Sequence, residues 1–480
     1  MTIPTQPMHH SSLTRAQVYN AVGALIGAAV GDALGARFEF MQPGLYGSTF
    51  PTPVLGGIGE MIGGGSFQWK PGEFTDDTQM ALALAEALLA DGGEFVPSRV
   101  WEHFRAWQTE AADIGNTTRA ALRSADYRTA ALEAHQRFGV SGGNGSVMRI
   151  APIGIAGVRW GAEKTKAVAY EQSLLTHFDP MAGLSAFIAA EMIRQLILGR
   201  SLEDALASID PHVEAELRDT YEALFAAGWH PGQWTTSGNG YSIVCLAQAV
   251  WAVRTTDSFE AAVTAAVDLG DDADTVGAVA GAIAGAKYGI QNIPSRWVTY
   301  LNGSVAQPDG ALKTYFQYDL VSIAHQLLGA PTKGISSQHS PVPPTQVHDV
   351  GIFACNSAGA PLASPEMGIV SLCRMEDALH SHPYRREFHI VDQYGDGHNP
   401  HLGAVLDDAV ATIDSFLAEG REVVVHCHGG QSRTGFVLKA WYMRRFNVDH
   451  GTAHDWLTDV WPLYATWNED FTAHLDRISL

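Results

Sequence analysis

The sequence predicts a multidomain chain in which a large all-α domain precedes a smaller α/β domain. Its 480 residues exceed the size of one ordinary domain. From about residue 15 to 328 the chain is rich in Ala and Leu in helical patterns, whereas short strand-like runs alternate with helices after residue 346. Between them, residues 329–346 carry four prolines and almost no bulky apolar residue, which is the composition of a linker.

The composition excludes several classes of protein. An apolar content of 46% with 17% charged residues argues against global disorder, and a net charge of −21 argues against bulk nucleic-acid binding. The four cysteines are widely spaced without a CxxC pair, which is typical of the reducing cytoplasm. No signal-peptide pattern is present, and the apolar run 21–31 is far shorter than the roughly 20 residues of a membrane span. We therefore expect a soluble cytoplasmic protein without a membrane partner.

Two segments of the large domain, residues 15–328, show clear helical spacing. In "TDDTQMALALAEALLADGG", apolar residues recur every four residues from Met80, and Gly92 offers a stop. In "DDADTVGAVAGAIAGAKYG", Gly277, Gly281 and Gly285 share one stripe of a helix. Glycine costs a helix about 1 kcal/mol relative to alanine, so this stripe indicates close approach of another backbone.

The small domain, residues 347–480, has strand and helix signals in alternation. "GIVSL", "EFHIV" and "EVVVH" are short β-type runs. A helix is predicted over 402–417, where Leu406, Val410 and Ile413 share a face. This alternation within about 130 residues predicts a small α/β domain.

Two acidic clusters stand where helices of the large domain are predicted to begin. They are Thr75-Asp76-Asp77-Thr78 and Asp271-Asp272-Ala273-Asp274-Thr275. One such residue suffices to cap a helix, whereas adjacent carboxylates repel each other. Dense oxygen ligands without Cys or His suit hard cations such as Mg²⁺ or Mn²⁺. Either cluster alone is consistent with capping, and the two together favour a metal site.

Six motifs in the large domain resemble the ADP-ribosylglycohydrolase family. In order they are "GALIGAAVGDALGARFEF", "FTDDTQMAL", "DIGNTTRAAL", "SGGNGSVMRIAPIG", "SLLTHFDP" and "LGDDADTVGAVAGAIAGA". The resemblance implies an all-α domain with two Mg²⁺ or Mn²⁺ ions that cleaves ADP-ribose from a modified protein or another acceptor. It implies as metal ligands Thr75, Asp76, Asp77, Asp272, Asp274 and Thr275.

The same resemblance assigns further roles within the motifs. Glu39 and Asp113 match metal-associated or catalytic positions. Ligand contacts are implied for the loop Asn144, Gly145 and Ser146. His177 matches the "LTH" segment, where a structural histidine is an equal alternative. Relatives often have Gly-Gly-Asp where this chain has Gly270-Asp271-Asp272, so Asp271 is either an exposed cap or a modifier of the metal site.

A cysteine loop in the small domain has the pattern of a phosphate-binding turn. In "VVVHCHGGQSRTG", five residues separate Cys427 from Arg433, between a predicted strand and a helix beginning near Thr434. Such a turn aims backbone amides and a helix N-terminus at one point, where an anion binds. The planar guanidinium of arginine grips phosphate oxygens, and this positive environment favours a reactive thiolate with a lowered pKa. A buried structural cysteine is the alternative.

The loop resembles the HCxxGxSR signature of dual-specificity and tyrosine phosphatases. The resemblance implies that Cys427 is the nucleophile and Arg433 the phosphate clamp, with Gly430 in the binding loop. Ser432 would assist release of the thiolate, and His426 would tune the thiol. A phosphorylated substrate is therefore expected for this domain.

A phosphatase of this class also needs a general acid for the leaving group. The Trp-Pro-Asp loop of the tyrosine-specific enzymes is absent, but "VDQYGDGHNPHLG" offers Asp392 and Asp396. Asp396 stands 31 residues before Cys427, a spacing typical of dual-specificity enzymes, and is preferred over Asp392. Its flanking glycines, Gly395 and Gly397, would allow a mobile lid.

Three functional hypotheses follow from these patterns. The first is a bifunctional hydrolase that combines an ADP-ribosyl hydrolase with a cysteine-dependent phosphatase. The second keeps the hydrolase and makes the small domain a phosphate-binding module that recruits a partner. The third makes the large domain a non-catalytic ligand-binding protein, against which the intact Asp pairs argue.

Overall fold

The protein, studied as a computed structural model, is described over residues 13–233, 238–330, 339–393, 395 and 397–478. A helical region precedes an α/β region, as the sequence predicts. The helices of the first region are α1 Arg15–Gly35, α2 Leu45–Thr49, α3 Asp76–Ala90, α4 Pro97–Trp107, α5 Asn116–Ala121, α6 Ala130–Phe138, α7 Ala151–Trp160, α8 Ala162–Ser173, α9 Pro180–Ile197, α10 Leu202–Ile209, α11 Arg218–Phe225, α12 Ser242–Thr255, α13 Phe259–Val267, α14 Ala273–Tyr288, α15 Ser295–Val298 and α16 Gln317–Leu328.

Helices α1 and α14 form the centre of the first region. Their glycines face each other: a Cβ atom at Gly27 would lie 2.2 Å from the carbonyl oxygen of Gly281, and one at Gly31 would lie 1.9 Å from that of Gly277. Only glycine permits this approach, which confirms the close packing predicted from the stripe. Helix α1 is long and apolar enough to cross a membrane, yet 94% of its most apolar window is buried inside the fold.

One antiparallel hairpin interrupts the helical region. Strand β1 Asn302–Ala306 pairs with β2 Leu312–Phe316, with Asn302 opposite Phe316. The prediction of helices alone omitted this hairpin. Its five-residue strands are too short to give a strong alternating pattern, and β2 is largely exposed.

The second region contains a five-stranded sheet. Its elements are β3 Thr345–His348, β4 Ile352–Asn356, β5 Gly368–Ser371, β6 Arg385–Glu387, α17 Leu402–Ala418, β7 Val423–Cys427, α18 Ser432–Phe446, α19 His450–Val460 and α20 Glu469–Ile478. The strand order is β3-β4-β7-β5-β6, and the strands are parallel except for the edge strand β3. The cysteine-bearing strand β7 is central.

The strand predictions differ from the structure in three places. The run "EFHIV" contributes only its first residue to β6, which begins earlier, at Arg385. Strands β3 and β4 were not predicted. Strand β3 begins at Thr345, inside the segment with linker composition, and residues 331–338 of that segment lie outside the described residues.

The two regions pack directly against each other. The guanidinium of Arg386 donates to the carbonyl oxygen of Gly57 at 2.7 Å and to the hydroxyl of Tyr300 at 2.9 Å. On α17, the carboxylate of Asp408 accepts the amide of Ser295 at 2.8 Å. These bonds join two loops and the start of α15 in the helical region to β6 and α17.

Candidate active sites

Both acidic clusters of the helical region begin helices, as predicted. Thr75 caps α3, and its hydroxyl accepts the backbone amide of Asp77 at 3.4 Å. Asp272 has non-helical backbone angles directly before α14. Acidic residues in a first turn are stabilised by the free amides and the helix dipole. Local chemistry therefore explains where each cluster stands.

The two clusters meet in space. The hydroxyl of Thr75 donates to Asp274 at 3.5 Å, and the hydroxyl of Thr275 donates to Asp77 at 3.1 Å. These contacts cross 199 and 198 residues of sequence. The N-termini of α3 and α14 thus form one site instead of two capping structures.

Further carboxylates from the helical region join this site. In the part of the chain that the structure describes, Asp32, Asp77 and Asp274 place one oxygen each within 4.8 Å of one another. Glu39, Asp113 and Asp274 form a second group on the same criterion. Asp274 belongs to both groups, which makes it the centre of the carboxylate cluster.

Burial and like charges raise the pKa values throughout the cluster. Burial, with the charges of Asp113 and Asp272 next, raises the pKa of Glu39 to about 8. Burial raises the pKa of Asp113 to about 6, against an amide hydrogen bond that lowers it. The pKa values of Asp77 and Asp274 lie well above the usual range because both are buried beside other carboxylates. Without a cation, these groups oppose one another's ionisation.

The donor set fits a hard divalent cation. Oε2 of Glu39 and Oδ2 of Asp77 are buried and have no hydrogen-bond partner among the described residues. A buried, unpartnered carboxylate oxygen is costly unless a cation binds it. The ligands available are carboxylate and hydroxyl oxygens, which suit Mg²⁺ or Mn²⁺ better than zinc.

The cysteine loop connects β7 to α18. Cys427 ends the strand at 1% exposure, and Ser432 begins the helix. The indole nitrogen of Trp461 donates to the carbonyl oxygen of Gly430 at 2.7 Å, and the amide of Ser357 donates to that of His428 at 3.2 Å. The loop's shape is thus fixed by two residues outside the signature, which sequence reasoning did not identify.

Gly430 and His426 have local structural reasons for their positions. Gly430 has φ = +68°, and a Cβ atom there would lie 2.6 Å from the carbonyl oxygen of Cys355, so glycine is required. His426 is fully buried, with Nε2 2.7 Å from the hydroxyl of Ser371. Burial lowers the pKa of His426 to about 3, which keeps its ring neutral beside Cys427.

Arg433 links the loop to its surroundings. Its Nη1 donates to the carbonyl oxygens of Leu372 at 2.8 Å and Ile390 at 3.1 Å. Its Nε lies 3.7 Å from Oδ2 of Asp392. The segment of Ile390 and Asp392 therefore helps to orient the guanidinium beside the cysteine loop. Asp392 is one of the two candidate acids.

Asp392 is half-buried next to the loop. Its Oδ1 accepts the side-chain amide of Asn468 at 3.2 Å. Burial raises the pKa of Asp392, and the nearby Arg433 partly opposes this. The other candidate acid, Asp396, lies outside the described residues. The preference for Asp396 therefore stays a prediction, and the position of Asp392 supports the alternative.

Comparisons with known proteins match the helical region that contains the carboxylate cluster. The model of the family "ADP-ribosylglycohydrolase" matches residues 14–334. The chain belongs to this family. The ADP-ribosylarginine hydrolase Tri1 of Serratia proteamaculans (strain 568) is 36% identical over 299 residues, which are 58% of this chain and 75% of that protein.

Other glycohydrolases and a solved structure extend the match. The ADP-ribosyl-[dinitrogen reductase] glycohydrolase of Rhodospirillum rubrum is 32% identical over 290 residues, covering 59% of this chain and 91% of that protein. A solved "ADP-ribosylglycohydrolase-related protein complex" superposes with a TM-score of 0.51 at 31% identity, covering 65% of this chain and 98% of that chain. A second family model, "Dual specificity phosphatase, catalytic domain", matches residues 369–475. We refer to the two regions as the glycohydrolase domain and the phosphatase-like domain.

The predicted substrate loop of the glycohydrolase domain lies against the carboxylates. The side-chain amide of Asn144 donates to Oδ2 of Asp272 at 2.8 Å, so Asn144 orients a candidate ligand. Gly145 faces the ring of His177. A Cβ atom at Gly145 would lie 2.9 Å from the Cε1 atom of that ring. Ser146 is fully buried, and its hydroxyl donates to the carbonyl oxygen of Ala182 at 3.4 Å. Of the three, Asn144 has a polar contact with the cluster.

His177 and Asp271 have environments that separate them from the cluster. His177 is 2% exposed, its Nδ1 lies 2.8 Å from the hydroxyl of Thr176, and burial lowers its pKa to about 3. These features favour the structural alternative. Asp271 is exposed with φ = +56°, and its backbone pairs with Met41. Asp76, Asp271 and Asp272 all stand outside the two carboxylate groups, but of these three only Asp271 is exposed.

Asp32 is a residue of the site that sequence reasoning did not select. It is fully buried near the end of α1, and burial raises its pKa to about 6 while the Thr75 and Thr78 hydrogen bonds lower it. The available signal was an ionisable residue directly after a long apolar run in "GALIGAAVGDALG". A charge at such a position is rarely buried unless it has partners.

Proposed function

We propose that this chain is a bifunctional hydrolase. The glycohydrolase domain cleaves the N- or O-glycosidic bond between ADP-ribose and a modified protein or another acceptor, with divalent cations. The observation that carries this proposal is the convergence of carboxylates from α1, α3 and α14 at Asp274. Two relatives are named for hydrolysis of ADP-ribosylarginine and of ADP-ribosyl-[dinitrogen reductase]. These names support an ADP-ribosylated substrate for this chain.

The donor set would hold two Mg²⁺ or Mn²⁺ ions. The ligands proposed are Thr75, Asp76, Asp77, Asp272, Asp274 and Thr275. Bound cations of this kind supply electrostatic stabilisation where charge develops in the reaction. Asn144 orients Asp272 through its 2.8 Å hydrogen bond. Glu39 and Asp113, which form a group with Asp274, would take or give a proton as the ribose acquires oxocarbenium character.

Mass spectrometry of a substrate panel tests the glycohydrolase function. The panel contains proteins ADP-ribosylated on arginine or serine, an ADP-ribosylated nucleic acid, and phosphorylated ADP-ribose, each with Mg²⁺, Mn²⁺ or a chelator. We expect cation-dependent release of ADP-ribose from at least one ADP-ribosylated substrate, and loss of that release in Asp274→Asn. Phosphate release from phosphorylated ADP-ribose reports on the phosphatase-like domain instead. If no ADP-ribosylated substrate releases ADP-ribose, the glycohydrolase assignment is wrong.

The phosphatase-like domain hydrolyses a phosphomonoester by nucleophilic catalysis. The thiolate of Cys427 forms the S–P bond while the P–O bond to the leaving group breaks, and Asp392 protonates the departing oxygen. Arg433 binds the phosphate oxygens, and Ser432 assists release of the thiolate when water cleaves the S–P bond. The placement of Asp392 3.7 Å from Arg433 supports it as the acid.

Cys427→Ser tests whether the two activities reside in separate sites. We expect the variant to lose hydrolysis of a generic aryl phosphate and to retain release of ADP-ribose. The measurement compares both rates on one preparation of the full chain. Loss of both activities in a folded variant would contradict separate sites.

A second candidate function for the small domain is binding of a phosphorylated partner without turnover. The observation that favours it is the low exposure of the loop, with Cys427 at 1% and Arg433 at 8%. Binding of inorganic phosphate or a phosphopeptide, measured by calorimetry without hydrolysis of any aryl phosphate, would support this alternative over catalysis.

A further inference from the structure

We propose that Gln291, a residue of the glycohydrolase domain, is a positioning residue for the phosphatase-like site. It holds the backbone segment that carries Asp392 beside the cysteine loop. This inference rests on the proposed phosphatase function, and it adds a residue that lies outside the matched phosphatase region, residues 369–475.

Gln291 makes every one of its described side-chain hydrogen bonds with the other domain. It lies in the short turn after α14 and is 4% exposed. Its Nε2 donates to the carbonyl oxygen of His389 at 2.7 Å and to Oδ1 of Asn399 at 3.2 Å. Its Oε1 accepts the amide of His401 at 3.2 Å. The buried side-chain amide of Gln291 therefore bonds the chain both before and after Asp392.

Asn399 extends this bridge to the residue directly before Asp392. Its Oδ1 accepts the amide of Val391 at 2.9 Å, and its Nδ2 donates to the carbonyl oxygen of Val391 at 2.9 Å. Both backbone polar groups of Val391 are thus fixed by one side chain. The side chain of Val391 also packs against the hydrophobic core of the glycohydrolase domain. The segment is held by hydrogen bonds and by apolar contact.

The held segment is the one that contacts Arg433. The carbonyl oxygen of Ile390 accepts Nη1 of Arg433 at 3.1 Å, and Asp392 lies 3.7 Å from its Nε. A general acid acts only within hydrogen-bond reach of the leaving oxygen. Misplacement by about 1 Å is enough to cost roughly 100-fold in rate. Arg433 keeps a second anchor outside this segment, the carbonyl oxygen of Leu372 at 2.8 Å. Release of the Gln291 bridge is therefore expected to impair proton donation more than phosphate binding.

Other contacts between the domains provide a matched control. The hydroxyl of Tyr300 donates to the carbonyl oxygens of Pro383 at 3.0 Å and Arg385 at 3.2 Å, near β6. It makes no described hydrogen bond with residues 389–401. Tyr300→Phe thus weakens the domain interface without touching the acid segment, whereas Gln291→Leu removes the bridge and keeps a similar volume.

The first measurement uses two substrates on the full chain. An alkyl phosphate has a weakly acidic leaving group that needs a proton, whereas the phosphate of a strongly acidic phenol does not. We expect Gln291→Leu to lower kcat for the alkyl phosphate by about tenfold or more, part of the roughly 10²–10⁴-fold that a general acid contributes. Its kcat for the phenol phosphate and its KM values stay close to wild type, as do all values for Tyr300→Phe. Equal loss on both substrates, or no loss, overturns the proposal.

The second measurement is hydrogen exchange at the backbone amide of Val391. We expect faster exchange in Gln291→Leu and not in Tyr300→Phe, and unchanged exchange in Gln291→Leu overturns the proposed positioning. If Gln291→Leu does not fold, Asn399→Ser removes the same bridge from the phosphatase-like side and is judged in the same way. A wild-type chain that turns over neither phosphate refutes the phosphatase function, whereas the exchange rate still decides the role of Gln291.

Discussion

The backbone amide of Thr75 lies 2.9 and 3.1 Å from the two carboxylate oxygens of Asp32, to which it donates. The same carboxylate accepts the amide of Thr78 at 3.0 Å. Asp32 therefore fixes the first turn of α3, which carries Asp76 and Asp77. A buried residue of α1 sets the geometry of ligands on another helix.

Asp32→Asn tests this geometric role. An asparagine presents one acceptor oxygen where the carboxylate presents two, and its NH₂ group opposes the amide donors of α3. We expect the free energy of unfolding to fall by about 1–3 kcal/mol and glycohydrolase activity to fall at least about tenfold. Urea unfolding and initial rates measure these effects. Asp91→Asn, at the other end of α3, is the control, and comparable losses there would contradict the prediction.

Divalent cations are expected to stabilise the chain through Asp274. A cation that binds only the folded state, present at about 100 times its Kd, adds about 2.7 kcal/mol. Mg²⁺ or Mn²⁺ should therefore raise the melting temperature of wild type, and Asp274→Asn should abolish the increase. Asp271→Asn is expected to keep the increase in melting temperature, because Asp271 is exposed and outside the two carboxylate groups. The same cation effect in both variants would rule out Asp274 as a ligand.

The pH dependence of phosphatase activity identifies the acid. Burial raises the pKa of Asp392, and the acid must be protonated to act. The kcat for an alkyl phosphate is therefore expected to fall as pH rises through a pKa above the ordinary range of aspartate. Asp392→Asn should lower kcat by roughly 100-fold and remove this alkaline limb. An unaltered limb in Asp392→Asn, with its loss in Asp396→Asn, would assign the role to Asp396.

Glu387 makes stability depend on pH. Burial raises its pKa to about 7 from 4.5, although the amide of Met375 and the charges of Arg374 and Arg385 oppose this. The folded chain holds the proton of Glu387 more tightly than the unfolded chain does. The stability that this proton adds to the fold is therefore largest below pH 4.5 and is lost as pH rises to about 7.

Glu387→Gln removes that pH dependence. We expect the variant to be more stable than wild type above pH 7, by up to about 3 kcal/mol at 1.4 kcal/mol per pKa unit. In wild type, the backbone amide of Met375 donates to the Glu387 carboxylate at 3.2 Å. The side-chain oxygen of the glutamine can still accept this hydrogen bond. Chemical unfolding from pH 4 to pH 8 gives the difference. A stability gap that does not change with pH would disprove the linkage.

Local chemistry in the sequence was sufficient for several features. The two acidic clusters marked the starts of α3 and α14, and the glycine stripe predicted close approach of another backbone, which is that of α1. The fold of both domains was correctly predicted with the help of family resemblance. The hairpin and the strands β3 and β4 were not, because strands this short depend on their partners more than on their own pattern.

Long-range contacts explain the remaining omissions. Asp32 acts on residues 43 and 46 positions away, and the apolar run before it does not show which residues it bonds. Gln291 reaches across 98 to 110 residues to the segment around Asp392. Asp32 lies in one of the six family motifs and Gln291 lies in none, but a buried carboxylate or amide gains its role from what packs against it.

Helix α14 carries Asp274 and Thr275 in its first turn and is followed directly by the turn that contains Gln291. Its 16 residues span about 24 Å. The carboxylate cluster and the Gln291 bridge therefore lie about one helix length apart, at opposite ends of α14. A substitution at Gln291 leaves the first turn of α14 in place, so the two domains can be altered one at a time by single substitutions.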